Sequence, residues 1–138
     1  MALLDNPTTS KRSILVVDDE EGIRAVLEKR LYQSGYLVDV AANGRHALQK
    51  IESGRLYNLI LCDLKMPLLT GVEFLKEIRK KGNTVPVILI TGHPDRELLQ
   101  TAASYNLTGI ILKPYNHVQL LKKIESVLQG ESQIVIPA

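Results

Sequence analysis

The chain has 138 residues, 45% hydrophobic and 23% charged, with a formal net charge of +2. That is the length of one domain, able to bury roughly two-thirds of its unfolded surface, and a charge too slight for nucleic acid, which needs a basic stripe on one face. A single cysteine excludes an internal disulfide and suits a reducing compartment. No apolar run nears the ~20 residues of a membrane span. The opening MALLDNPTTSKR lacks the apolar core of a secretory signal. A cytosolic protein without direct nucleic-acid or membrane binding is expected, with residues 1–11 a disordered lead.

In chain order, Ser13–Val17 (SILVV) has the pattern of a buried strand and runs into Asp18-Asp19-Glu20. From Glu21 the period becomes helical, with Ile23, Val26, Leu27 and Leu31 on one face and Gly35 as the stop. Tyr36–Ala41 alternates as a strand; Asn43-Gly44 punctuates, and Arg45–Glu52 reads as a weaker helix closed by Gly54. Tyr57–Cys62 is a third strand, driving straight into Asp63. Val72–Lys80 is a helix with Val72, Leu75 and Ile78 inward. Val85–Ile90 is a fourth strand, with Pro86 tolerable near its start. Asp95–Ser104 is a helix, and Thr108–Leu112 a short strand ending in Lys113-Pro114. Val118–Leu128 closes the pattern as a helix with Val118, Leu121, Ile124 and Leu128 on one face.

Five strand–helix pairs with short connections dictate an α/β fold, an open five-stranded parallel sheet with helices on both faces. Every strand then ends on the same edge, where open α/β sheets place their ligands. Asp18-Asp19, Asp63, Thr91 and Lys113 all fall there. Crowded carboxylates repel, which raises the pKa of at least one. A divalent cation relieves that repulsion, and an all-oxygen donor set suits Mg2+. Acid, cation, hydroxyl and ammonium together are what a phosphoryl group requires. Asp63 is the candidate nucleophile, forming an aspartyl phosphate.

Four segments carry a resemblance: VVDDE (Val16–Glu20), LILCDLKMPLLTG (Leu59–Gly71), VILITG (Val87–Gly92) and ILKPY (Ile111–Tyr115). In this order and spacing they resemble the receiver domain of two-component response regulators, over residues 12–130, with 131–138 a tail or truncated linker. The resemblance implies a flavodoxin-like (βα)5 fold with strand order 2-1-3-4-5. It implies phosphotransfer to Asp63 from a sensor histidine kinase or a histidine phosphotransfer protein, in a signalling module rather than a turnover enzyme. Asp18, Asp19, Asp63 and the main-chain carbonyl of Lys65 would hold Mg2+. Thr91 and Lys113 would engage the phosphoryl group, and the Lys113–Pro114 bond would be cis. Lys65 and His93, two positions after Asp63 and Thr91, would tune the lifetime of the phosphoryl group. Receivers usually carry an aromatic residue three positions before the lysine; here that residue is Ile110.

Plainer roles fit single residues. Asp19 could merely cap the first helix, Thr91 could form a turn, and Lys113 could be a solvated charge. Zinc is not expected, because no second His or Cys stands at ligand spacing. His93, His46 and His117 are expected on the surface, and Cys62 in the core on the sheet face opposite Asp63. A flavin or nucleotide binder would want a Gly- or Ser/Thr-rich loop after the first strand, where VVDDEEG places acids. An aspartyl phosphatase of the haloacid dehalogenase type would want an acid at Lys65. A degenerate receiver acting as a constitutive interaction module remains the alternative, supported by Ile110. A free-standing receiver and a fragment of a larger regulator fit the sequence equally.

Overall fold

The computed structural model describes residues 11–131 and residue 136; the expected lead, up to residue 10, and most of the expected tail lie outside the described residues. The strands are β1 (Ser13–Val17), β2 (Leu37–Ala41), β3 (Leu59–Asp63), β4 (Val87–Thr91) and β5 (Gly109–Leu112). The helices are α1 (Glu21–Gln33), α2 (Gly44–Glu52), α3 (Gly71–Lys80), α4 (Arg96–Ala103) and α5 (His117–Leu128). The strands form one parallel sheet in the order β2-β1-β3-β4-β5. This is the flavodoxin-like order, with β1 and β3 adjacent at its centre.

The period-2 alternation along each strand divides the core in two. Leu15, Val17, Ile60, Cys62, Val87 and Leu89 face α2, α3 and α4, where they meet Ala47, Phe74, Leu75, Ile78 and Leu99. Ile14, Val16, Leu59, Leu61, Ile88 and Ile90 face α1 and α5, where they meet Leu27, Leu31, Leu120 and Ile124. Both faces are covered, which is why the central strands read as unbroken apolar runs. Cys62 is fully buried, as expected, and burial pushes its thiol well above the usual range. Among the described residues no helix is long and apolar enough to cross a membrane.

Local signals set the helix starts. Asn43, Thr70, Asp95 and Asn116 each cap a helix by accepting a backbone N–H three residues on. Thr70/Glu73 and Asn116/Gln119 do so reciprocally, as capping boxes. At the far end of α3, the Arg79 guanidinium donates to four main-chain carbonyls, those of Asn83, Val85, Tyr105 and Asn106. It thereby ties the α3–β4 and α4–β5 turns together.

Several expectations shift. Asp63 is the last residue of β3 rather than the first beyond it, and Pro86 falls outside β4, whose ladder it cannot donate to. Val26 is 53% exposed; Leu27 and Leu31 fill the inner face of α1. In α5 the inward stripe is Leu120, Ile124 and Val127, and Val118 is 60% exposed. Apolar residues at 118, 120, 121, 124, 127 and 128 satisfy two overlapping helical templates, and docking against β5 and α1 selects one. His46 and His93 are exposed as expected. His117 is half-buried instead, its Nε2 3.3 Å from Ser34 Oγ at the end of α1 and its Nδ1 enclosed without a partner among the described residues.

Candidate phosphoryl-acceptor site

Strand register assembles the site. Val16 pairs with Leu61 and Val17 with Cys62, so one further step sets Asp18 level with Asp63 across the two central strands. Asp63 pairs with Ile90, and Thr91 with Leu112, so Thr91 and Lys113 follow immediately along the same edge. One carboxylate oxygen from each of Asp18, Asp19 and Asp63 lies within 4.8 Å of the others. The Lys113 ammonium stands 3.7 Å from Asp63 Oδ1. Lys113 N–H donates to Thr91 O at 2.9 Å, and the Lys113–Pro114 bond is cis as expected.

Asp18 and Asp63 are only 4% and 9% exposed, and Asp19 is exposed. Burial, partly offset by Lys113 and reinforced by Asp18 and Asp19, pushes the Asp63 carboxyl up to about 6. Burial likewise raises Asp18, against a hydrogen bond from the Glu20 N–H and the charge of Lys113. The donor set is all oxygen and carries an excess of negative charge, which fits a hard divalent cation held by few carboxylates and several waters. Asp19 does not cap α1; the cap position is Glu20, whose own side chain makes no cap bond and whose N–H donates to Asp18 Oδ1. Thr91 is buried, and its hydroxyl accepts from His93 N–H and donates to His93 O, both at 3.0 Å. It is engaged within its own loop. Lys65 has an exposed side chain in the β3–α3 loop.

Three residues of this edge escaped sequence reasoning. Gly71 opens α3 directly against Asp63: a Cβ there would stand 2.5 Å from Asp63 O. Its signal was the T-x-x-E box at Thr70, which fixes where α3 begins. Leu68 takes φ +73°, with Leu69 N–H bonded to Pro67 O at 2.8 Å, so a γ-turn carries the chain past the site. Arg24, one turn into α1, donates to Asp18 O at 2.7 Å. No spacing rule announces either of these last two.

Paired acids at the ends of β1 and β3, facing a lysine beyond β5 on a doubly wound sheet, define the receiver class of two-component signalling proteins. The response regulator receiver domain model matches residues 14–125, and the chain belongs to that family. The chain is 33% identical over 121 residues to the response regulator ArlR of Staphylococcus haemolyticus, covering 88% of this chain and 54% of that relative. It thus spans about half the length of the curated relatives it matches. The CheY-like receiver of Methanospirillum hungatei superposes with a TM-score of 0.83 at 33% identity, covering 88% of this chain and 96% of that one. The Thermotoga maritima response regulator TrrA, solved in complex with Mg2+-BeF, superposes with a TM-score of 0.74 at 36% identity, covering 84% and 98%.

Proposed function

We propose that Asp63 accepts a phosphoryl group from the phosphohistidine of a sensor kinase or histidine phosphotransfer protein, in a cytosolic signalling relay. The observation that carries this reading is the ammonium of Lys113 standing 3.7 Å from a buried carboxylate that two further acids crowd. A carboxylate oxygen of Asp63 attacks phosphorus, the P–N bond to the donor imidazole breaks, and that nitrogen leaves with the electron pair and takes up a proton. At neutral pH Asp63 is mostly ionised despite its raised pKa and is competent as a nucleophile. Lys113 neutralises one phosphoryl oxygen, and the Thr91 hydroxyl exchanges its bond to His93 O for another.

Asp18, Asp19, Asp63 and the main-chain carbonyl of Lys65 are the residues that would hold Mg2+. When bound, the metal supplies charge that offsets the carboxylates and the incoming phosphoryl oxygens. The Mg2+-bound TrrA relative supports that choice of ion. Loss of the group is hydrolysis: water attacks phosphorus, the P–O bond to Asp63 breaks, the carboxylate leaves with the electron pair, and inorganic phosphate carries away the water's oxygen and protons. Ile110 is partly buried against the core below α4 and has no ring to swing, so the response at β5 is a repacking of aliphatic side chains.

The test is incubation with a small acyl phosphate and Mg2+, followed by intact mass. One added phosphoryl group is expected, absent with chelator and absent in Asp63→Asn. A protein that never gains that mass under conditions where a known receiver does would support a constitutive interaction module instead.

A further inference from the structure

The acids of this site must be held together against their own repulsion. Asp19 is exposed and has no side-chain bond to α1, and the Glu20 side chain makes no cap bond either. What fixes the β1–α1 loop is the main chain of Asp18. Its N–H donates to Ala41 O at 3.2 Å, and its carbonyl accepts from the Arg24 guanidinium at 2.7 Å. Arg24 is half-buried, and its own N–H donates to Glu20 O at 3.0 Å, so the tether starts from a formed helical turn. With the carbonyl held from behind, the Asp18 carboxylate is turned toward Asp63, where its Oδ1 also accepts from Glu20 N–H.

We propose that Arg24 is a positioning residue for the cation site, holding Asp18 and Asp19 in the arrangement a divalent ion needs before the ion arrives. The inference rests on the reading of the three carboxylates as the Mg2+ site. Without the tether, like-charge repulsion lets the loop open in the metal-free protein, and binding has to close it again. A group that orients ligands from behind commonly changes metal affinity when it is lost, by about ten-fold at the low end.

The experiment is Mg2+ titration by calorimetry on the full chain, as wild type, Arg24→Met, Arg24→Lys and Arg12→Met, with urea unfolding of each in chelator. Arg12→Met is the control, because Arg12 also donates to a main-chain carbonyl, Leu128 O at 3.0 Å, at the opposite edge of the sheet. Expected are about ten-fold weaker Mg2+ binding in Arg24→Met, a smaller loss in Arg24→Lys, which keeps one donor, and wild-type affinity in Arg12→Met. Wild-type affinity in both Arg24 variants overturns the inference and leaves the cation site standing, as does an equal loss in Arg12→Met. Absence of Mg2+ binding by the wild type sinks the cation site and the inference with it. If Arg24→Met does not fold, the comparison of Arg24→Lys with wild type decides.

Discussion

Replacing Asp63 by Asn stabilises the metal-free protein at neutral pH. Asp63 is buried beside two other acids, and its carboxyl is pushed up to about 6 against an ordinary value of 3.8. The folded state therefore holds that proton more tightly than the unfolded chain does. Stability contributed by the neutral acid is intact at the bottom of this window and is lost as pH rises through it, the loss being complete above about pH 6. A difference of about two pH units at 1.36 kcal/mol per unit sets the full cost of ionisation near 3 kcal/mol, falling to about 1 kcal/mol at about pH 4.5. Asn fills the same volume without the charge, so no cavity enters, but it leaves Lys113 without its partner. The expected net gain is about 2 kcal/mol at about pH 7.5 and under about 1 kcal/mol at about pH 4.5. Urea unfolding in chelator at the two pH values measures it, with an unchanged m-value confirming that only stability moved. An equal gain at both pH values, or an Asn variant weaker than wild type at the higher one, refutes the reasoning.

Five further substitutions are specified by the structure. Gly71→Ala drives a methyl into Asp63 O, with Leu89 and Leu64 also in the way, and should slow phosphoryl uptake at least several-fold in an intact-mass time course while leaving the protein folded by circular dichroism. Leu68→Gly relieves the strained positive-φ centre of the γ-turn, a residue that is 73% exposed and gives up little packing, so a gain of about 1 kcal/mol in urea unfolding is expected. Arg79→Met strands four carbonyls at the base of α3 and should cost about 2–4 kcal/mol by the same measurement, without changing Mg2+ affinity. Lys65→Ala or His93→Ala, on the two loops flanking Asp63, should alter the decay rate of the phosphorylated protein; decay unchanged from wild type in both sinks that role.

The sequence announced this site clearly because strand ends on a parallel sheet share an edge. Val17, Cys62, Ile90 and Leu112 are the last apolar residues of their runs, so the polar residues that follow converge on that edge. The fold was legible for the same reason, since two-faced burial makes β1, β3 and β4 continuous apolar runs. Helix phase was harder: Val26 and Val118 are apolar by type yet exposed, because α1 and α5 each offered more apolar residues than one face can bury. His117 was misplaced because its enclosure depends on Ser34, 83 residues away. The Arg24 and Arg79 contacts end on main-chain carbonyls, and a carbonyl has no letter in the sequence.

The Gly71 contact carries one more implication. With its carbonyl hemmed in by the start of α3 and its strand locked between two neighbours, Asp63 stands on an anvil. Under the proposed chemistry a newly attached dianion finds no give beneath it, and the displacement falls to the looser flank, the turn in which the Thr91 hydroxyl clasps His93.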